Sequence, residues 1–277
     1  MIELLNVPSL LTIQDSGRIG YRKLGVPVSG YMDDYSARIA NYLVGNPGNA
    51  PLLEFLLTGP TIKFNASAVF AVAGDVDVRL NGFSIEPWRS YWAKRGDVLE
   101  VGALRSGLYG YIAFAGGIKC EPLLGSCSTY AKAGLGRPLK AGDVLNLGYA
   151  ILTGREGKRL PEELRPDYST QEITVGVVLG PDLEHFTENG VNTFLTEAYT
   201  VTPESDRMGY RLDGKTIEHS NSHKPARPWL RSGSRQRKAD SHDARRPDHR
   251  WLCQNRGCDK RRPPQACPAQ TRLQGTL

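Results

Sequence analysis

The chain lacks the features that mark membrane, secreted and disulfide-stabilised proteins. No run approaches the roughly 18 apolar residues of a membrane-spanning helix, and the start, MIELLNVPSLLTI, has no basic region followed by a long apolar stretch. Only five of the 277 residues are cysteine, and Cys120 and Cys127 are the only two in the regularly patterned part. This count gives no disulfide framework and favours a cytoplasmic protein in a reducing compartment.

Two chemical signatures are missing or malformed. No G-x-x-x-x-G-K-[ST] motif is present, which excludes ATP binding by a P-loop. His249, Cys253, Cys258 and Cys267 resemble zinc ligands, but their spacing contains no C-x-x-C pair. We therefore predict no metal site.

The end of the chain is poor in aliphatic and aromatic residues. Residues 228–277 contain no Val, Ile, Met, Phe or Tyr, and they hold 12 Lys and Arg against four Asp and Glu. Such a segment cannot bury enough apolar surface to offset the entropy of ordering it. We predict a disordered basic tail over 221–277 after a nearly neutral body. The formal charge of +6 therefore gives no reason to expect a nucleic-acid partner.

The body itself contains short β-rich runs between Gly- and Pro-rich turns. Apolar runs of strand type lie at 2–7, 61–64, 68–72, 76–80, 98–101 and 109–114. One helix is predicted over 33–43, ending at Gly45, and a second near 182–195, interrupted by Gly190. The sequence predicts a mainly β fold, a barrel or sandwich with minor α.

Two internal echoes predict a duplicated architecture. R-x-G-Y-R-x-x-G begins at Arg18 and again at Arg207, and GDVL begins at Gly96 and again at Gly142. The polar segment 153–170 is the best candidate for a linker between two halves. We therefore divide the chain into a first half over 1–150, the start of a second half over 151–220, and the tail.

Several long strings resemble one known family, the KipA family. They are LTIQDSGRIGYRKLGVPVSGYMDDYSARIANYLVGN from Leu11, LLEFLLTGPTIKF after it, Gly116-Gly117-Ile118, the GSCSTY run and SDRMGYRLDG. Members are called the C-type subunit of 5-oxoprolinase, allophanate hydrolase subunit 2, or biotin-dependent carboxyltransferase subdomains A and B. The resemblance covers roughly residues 1–220.

This resemblance implies two cyclophilin-like β-barrel subdomains, the second incomplete here, in a subunit of an amide hydrolase. It implies a KipI-type partner, which is the B-type subunit of 5-oxoprolinase, and an A-type subunit; together the three open 5-oxoproline to glutamate with ATP. Whether ATP lies at the partner or at the interface stays open. So do two other functions: a regulator that antagonises a KipI-like kinase inhibitor, and a carboxyltransferase component of a urea amidolyase-like system.

A shift of reading frame accounts for both the end of the resemblance and the basic tail. Trp229 and Trp251 must be encoded by TGG, and each precedes a Leu, so the frame one base later encodes Gly at both points. With permitted codons elsewhere, that frame reads PGSVQVPGNGK over 228–238 and TTGGYAKIGVVIN over 248–260, which resembles the family's C-terminal part. We predict a one-base shift near 219–228, and that this chain alone is inactive.

Five residues are candidates for catalysis. Asp15, Arg18 and Tyr21 lie in a Gly-punctuated turn, and Arg207 and Tyr210 lie in its second copy. An arginine beside backbone amides can hold a carboxylate or phosphate, and an aspartate can accept a proton. Alternatively, Asp15 and Arg18 pair with each other to fix the turn.

Five further residues are candidates for substrate binding. Ser29, Gly30 and Asp33 precede a helix whose unpaired amides favour an anion, although N-capping explains them equally well. Gly116 and Gly117 let the backbone approach a ligand closely, or else they form a tight turn.

Overall fold

The computed structural model describes residues 1–169, 172–177, 179, 185–205, 207, 209–218 and 220, and the backbone of strands at 229–231, 253–254 and 270–274. The chain divides into two compact units, Met1–Ser169 and Thr170–Leu277. Both are mainly β with one α-helix each among the described residues, which confirms the predicted fold class. None of the helices in these ranges is long and apolar enough to cross a membrane.

The first unit is built from nine strands, one α-helix and three short 3₁₀ helices. Its strands are β1 (Ile2–Asn6), β2 (Leu11–Gln14), β3 (Leu52–Leu56), β4 (Thr61–Phe64), β5 (Ala68–Leu80), β6 (Phe83–Ile85), β7 (Ser90–Ala93), β8 (Val98–Phe114) and β9 (Val144–Leu145). Helix α1 spans Asp34–Leu43, and the 3₁₀ helices span Arg22–Leu24, Ala131–Ala133 and Glu162–Leu164.

These strands form one antiparallel sheet that curls on itself. The order is β2-β3-β8-β4-β1-β9, and β5 pairs with β6, β7 and β8. The long strand β8 pairs with β3 through its C-terminal end and with β4 through its N-terminal end, while β5 lies along its other edge. One strand thus joins two parts of the sheet and closes it into a half-barrel.

Alternation of side chains explains why both faces of this sheet are buried. Successive residues of a strand point to opposite faces. In β5, Phe70 and Val72 join a cluster of large side chains on one face, whereas Ala71 joins a second cluster with Ala37 and Ala40 of α1. The small residues on this second face let the helix pack closely on the sheet.

Helix α1 forms where the sequence predicts it, with a cap at each end. The Asp33 carboxylate accepts a hydrogen bond from the Ser36 amide at 3.1 Å, which satisfies one of the unpaired N–H groups of the first turn. At the other end, the Arg155 guanidinium donates to the carbonyls of Val44 and Gly45, both at 2.8 Å.

Two pairs of predicted strands are continuous in the structure. Residues 68–72 and 76–80 form the single strand β5, and 98–101 and 109–114 form β8. The register between the two strands shifts at Ala73, Asp75 and Val76, next to Gly74 with a φ of 145°. Bulges absorb extra residues and bend a strand without ending it, so the interruptions in the sequence pattern mark bends rather than turns.

The second unit contains six strands and helix α2 (Glu188–Thr196) among its described residues. The strands are β10 (Glu172–Gly176), β11 (Ala198–Val201), β12 (Tyr210–Asp213), β13 (Trp229–Arg231), β14 (Cys253–Gln254) and β15 (Gln270–Gln274), in the order β10-β15-β11-β12-β13-β14. Phe194 of α2 packs with Tyr199, Leu212 and Ile217 in its core.

Gly190 lies inside α2 and does not interrupt it. A side chain there would place its Cβ 2.5 Å from the Glu218 carbonyl oxygen, so glycine is needed for the helix to approach this segment. The N-terminal part of the predicted helix, at 182–184, lies outside the described residues. Most of the predicted disordered tail also lies outside them, and the strands β13, β14 and β15 are the parts of it that are described.

Residues 151–169 belong to the first unit. Leu160 is buried in the cluster beneath α1, Arg165 forms an ion pair with Glu86, and the Tyr168 hydroxyl donates to the Asp33 carboxylate. This segment is therefore held by the first unit's own core and polar contacts.

The cysteine count predicts no disulfide framework, and this prediction is wrong for Cys120 and Cys127. They form a disulfide with Cα atoms 6.0 Å apart. Between them, Leu123 and Ser126 exchange backbone hydrogen bonds across Leu124 and Gly125, both at positive φ. This is the geometry of a tight hairpin turn, and it brings the two cysteines opposite each other, which a cysteine count cannot reveal.

Candidate functional site

Two segments that are separate in the sequence lie side by side at the predicted turn. The Arg18 amide donates to the Val28 carbonyl at 2.7 Å, and the Tyr31 amide donates to the Asp15 carbonyl at 3.2 Å. Gly17 has a φ of 88°, and a Cβ there would lie 2.8 Å from the Val28 oxygen. The structure thus brings together four predicted site residues, Asp15, Arg18, Ser29 and Gly30.

Asp15 is buried and its carboxylate is held by neutral donors. One oxygen accepts from the Gly17 amide at 2.8 Å and from the hydroxyls of Ser126 and Ser128 at 2.6 and 2.5 Å. The other accepts from the Cys127 amide at 2.6 Å. Hydrogen bonds of this number and length hold the charged carboxylate in place. Asp15 therefore anchors the 126–128 segment.

Arg18 also binds this loop, and its guanidinium does not form an ion pair with the Asp15 carboxylate. Its side chain is only 2% exposed. The Nε atom donates to the Leu123 carbonyl at 3.1 Å and Nη2 to the Ser126 carbonyl at 3.3 Å. The Nη1 atom is buried and has no hydrogen-bond partner in this part of the chain.

The electrostatics of Arg18 follow from that burial. Desolvation lowers the pKa of its guanidinium, while the nearby Asp15 carboxylate acts in the opposite direction. Arginine nevertheless stays protonated at physiological pH. The site therefore contains a charged, buried donor that still lacks an acceptor within the described chain, which is costly unless an anion or polar ligand supplies one.

The loop over 123–128, which bonds to Asp15 and Arg18, was not among the predicted site positions. Ser126 and Ser128 are 111 and 113 positions from Asp15. The Cys120–Cys127 disulfide closes the segment that contains Ser126, and Ser128 follows it directly. The available signal was the GSCSTY run, which carries part of the family resemblance and places two hydroxyls next to a cysteine.

Ser29 and Gly30 both have backbone conformations in the left-handed region. Ser29 has a φ of 59°, and its hydroxyl donates to the Thr129 carbonyl at 2.8 Å. Gly30 has a φ of 93°, and a Cβ there would lie 3.2 Å from the Ser16 backbone. Both residues thus join the turn to neighbouring segments, and their role in substrate binding stays a prediction.

Asp33 caps α1, and its carboxylate has several donors. The hydroxyls of Ser36 and Tyr168 lie 2.5 Å from the same oxygen, and the Asp33 amide donates to the Tyr111 hydroxyl at 2.7 Å. Burial raises the pKa of both tyrosine hydroxyls, and the negative charge of Asp33 is the second largest cause of this increase. The phenols therefore stay protonated and can act as donors or acceptors. The arrangement agrees with N-capping.

Tyr21, Gly116 and Gly117 lie in tight turns. The Tyr21 carbonyl accepts from the Leu24 amide at 3.0 Å where the first 3₁₀ helix begins. Gly116 and Gly117 have φ of 86° and 71°, and a Cβ on Gly116 would lie 2.5 Å from the Gly148 oxygen. Backbone packing therefore requires glycine at 116 without any ligand, and ligand binding there stays a prediction.

Arg207 and Tyr210 lie in the second unit. Burial lowers the pKa of Arg207 to about 10, with Tyr210 acting in the opposite direction. The two copies of the R-x-G-Y-R-x-x-G echo have different backbones: the first contains the 3₁₀ helix Arg22–Leu24, whereas the second contains strand β12. The echo therefore does not mark one repeated turn.

No group of three or more His, Cys, Asp or Glu that could hold a metal ion occurs among the described residues. Of the four zinc-like residues in the tail, His249, Cys258 and Cys267 lie outside those residues, and only the backbone of Cys253 is described.

Comparison with known proteins adds a family and several relatives. Residues 24–229 match the family described as carboxyltransferase domain, subdomain A and B. The urea amidolyase of Lachancea kluyveri is 39% identical over an alignment of 219 residues, which covers 73% of this chain and 12% of that protein. The C-type 5-oxoprolinase subunit of Escherichia coli (strain K12) is 32% identical over an alignment of 225 residues, which covers 79% of this chain and 71% of that protein.

A solved structure agrees with these relatives. The crystal structure of the K. lactis urea amidolyase superposes with a TM-score of 0.72 at 36% identity, covering 79% of this chain and 14% of that one. The chain thus spans about an eighth of the length of the urea amidolyases that it matches, and about seven tenths of the 5-oxoprolinase subunit.

Proposed function

The chain belongs to the family of carboxyltransferase domains, subdomains A and B, and from this premise we propose that it is a subunit of an ATP-dependent 5-oxoprolinase. In this proposal it acts with a KipI-type subunit and an A-type subunit to open 5-oxoproline to glutamate. The support is the match to most of a separate E. coli 5-oxoprolinase subunit, compared with a small part of each urea amidolyase. We place ATP at the partner subunit or the interface, because this chain has no P-loop motif.

The observation that carries the proposal is the unpartnered Nη1 atom of Arg18. A guanidinium binds a carboxylate through parallel N–H bonds, and 5-oxoproline carries one carboxylate. That group would supply the acceptor that Nη1 lacks in the described part of the chain. Gly20, two positions further on, is exposed, and no atom lies within 4 Å of the place where a Cβ would stand. Arg18 would then bind and orient the substrate.

The frame shift is a second part of the proposal. The family match ends at residue 229, and the E. coli subunit is covered over 71% of its length, which supports a native C-terminal part encoded in the other frame. Sequencing the gene across codons 215–230 tests this directly. An uninterrupted frame in the organism's own DNA would overturn it.

The functional test compares the chain as encoded with the frame-restored chain, each mixed with its partner subunits. We expect ATP-dependent release of glutamate from 5-oxoproline by the restored chain only. Arg18→Gln in the restored chain should raise the KM for 5-oxoproline by about tenfold or more, since one charged hydrogen bond is lost. Arg95→Gln, an exposed arginine on another turn, serves as the matched control.

One alternative function has its own support, the 39% identity to a urea amidolyase. In that case the restored chain would accept a carboxyl group from a carboxybiotinyl protein and would not cleave 5-oxoproline. Binding of the KipI-type partner without turnover in either assay would favour the regulatory function instead. Each of these outcomes would overturn the 5-oxoprolinase proposal.

A further inference from the structure

A cluster of arginines lies in the first unit, on elements that do not form the Arg18 turn. Arg89 precedes β7, Arg159 lies in the segment that pairs with it, and Arg165 follows the third 3₁₀ helix. Glu86 follows β6 and forms an ion pair with Arg165. We call these four residues the arginine cluster.

The backbone places Arg89 and Arg159 directly opposite each other. They form an antiparallel bridge, flanked by hydrogen bonds from the Leu160 amide to the Trp88 carbonyl and from the Ser90 amide to the Lys158 carbonyl. This pattern makes them a non-hydrogen-bonded pair, in which side chains share a face and lie closest together. Like charges at such a position are destabilising.

Neither arginine of that pair has a carboxylate of its own within the described ranges. Arg89 stacks on the Tyr91 ring, with its guanidinium carbon 5.7 Å from the ring centre, and its Nε atom is buried without an acceptor there. Arg165 donates to Glu86 through Nη2, but its buried Nε atom also has no acceptor in the described chain. Two buried donors of charged side chains thus have no acceptor in the described ranges, and an anion would supply one.

The Glu86 carboxylate interacts electrostatically with all three guanidinium groups. Its pKa is lowered, first by the hydrogen bond from Arg165 and further by the charges of Arg165, Arg159 and Arg89. Among the described residues, no other carboxylate makes an ion pair with these arginines. The cluster thus holds three positive charges and one negative charge.

We propose that the arginine cluster binds the phosphate group of a small molecule. A net charge of two positive units matches a phosphate dianion, whereas a single carboxylate would neutralise only half of it. Planar guanidinium groups suit the phosphate oxygens, and the unpaired Nε atoms supply donors beside them. Phosphate bound between Arg89 and Arg159 would also remove their mutual repulsion. The site is independent of the proposed 5-oxoproline site and is tested without any assay of that activity.

The test is calorimetric titration of the full chain with inorganic phosphate at pH 8 and constant low ionic strength. We expect Arg159→Gln, an exposed residue, to weaken binding by about tenfold or more, and Arg95→Gln, an exposed arginine at the far end of β7, to change it less than about twofold. Glu86→Gln should tighten binding by about threefold or more, because it removes the competing negative charge. That increase in affinity is a change that general damage to the fold would not produce.

A second readout uses stability without phosphate. Because Arg159→Gln relieves the repulsion from Arg89, its urea midpoint should equal or exceed that of the unchanged protein. Titration with AMP then distinguishes a nucleotide phosphate from inorganic phosphate, and either ligand supports the site if Arg159→Gln weakens it. Equal weakening by Arg159→Gln and Arg95→Gln would show an effect of total charge alone and would overturn the proposal. The absence of binding of both inorganic phosphate and AMP at millimolar concentration would also overturn it.

Discussion

Asp15 and Arg18 are three positions apart, yet each bonds to a distant loop rather than to the other. Asp15 receives neutral donors from the 126–128 segment, and Arg18 donates to the carbonyls of Leu123 and Ser126. Since the carboxylate is satisfied by dipoles, it does not neutralise the guanidinium by direct contact. This division keeps a full positive charge on Arg18, with one buried donor unused by the described residues.

Replacing Asp15 tests this division of roles. In Asp15→Asn, an amide NH₂ would face the Cys127 amide or the serine hydroxyls, so at least one buried donor loses its acceptor. We expect the free energy of unfolding to fall by about 2 kcal/mol. Urea denaturation measures it, with Asp77→Asn as the control because the Asp77 side chain is 75% exposed. Equal losses in both variants would contradict an anchoring role for Asp15.

The site was predictable only to the extent that it is local in sequence. The turn with Asp15 and Arg18, and the helix cap at Asp33, follow from short-range rules for glycine, charge and capping. The hydroxyls of Ser126 and Ser128 reach Asp15 only because β2 and the disulfide loop meet in the folded chain. No spacing rule connects residues more than 100 positions apart, so these partners could not be predicted.

At the scale of elements, the shorter of the two sequence echoes, GDVL, is the one with a shared geometry. Gly96 and Gly142 both have positive φ before a strand. The carboxylates of the aspartates that follow them accept hydrogen bonds from the backbone amides of Lys94 and Lys140. A four-residue turn pattern is decided by local backbone preference. The longer R-x-G-Y-R-x-x-G echo adopts two conformations because its surroundings, rather than its own residues, decide between turn and strand.

The backbone segments at Gly116 and Gly148 approach each other closely, and this packing explains the residue type at both positions. A Cβ on Gly116 would clash with the Gly148 oxygen, whereas Gly154 has a similar positive φ but open space around it. We expect Gly116→Ala to lower the free energy of unfolding by about 3 kcal/mol or more, and Gly154→Ala by only about 1 kcal/mol. Urea denaturation of both variants measures the difference. Similar losses would show that the positive φ alone, rather than the close approach of the Gly148 backbone, requires glycine at position 116.

The disulfide loop predicts a dependence on redox conditions. Closing an eight-residue loop between Cys120 and Cys127 stabilises the fold by roughly 2 to 3 kcal/mol in the chain-entropy estimate. We expect a dithiol reductant to lower the unfolding midpoint and to weaken the hold of the loop on Arg18. The double variant Cys120→Ser with Cys127→Ser is the control, since it retains the other three cysteines and should not respond. A response in the control would place the effect in the tail cysteines.

At the scale of the whole molecule, the boundary between units follows the core rather than the polar composition. The segment 153–170 looks like a linker because it is charged and rich in turns. Its few contacts are nevertheless specific: Leu160 fills the cluster beneath α1, and Arg155 caps the C-terminal end of that helix. A few well-placed residues hold a segment that its composition assigns to a linker.

A pair of truncations tests this boundary. The fragment 1–169 retains both hydrophobic clusters of the first unit, so we expect it to unfold cooperatively in urea. The fragment 1–150 loses the buried Leu160 side chain and the Arg155 cap, which should lower its free energy of unfolding by about 3 kcal/mol or more. Dispersed amide NMR spectra would establish that each fragment folds. Equal stability of the two fragments would mean that 151–169 adds nothing to the first unit, which would then end at residue 150.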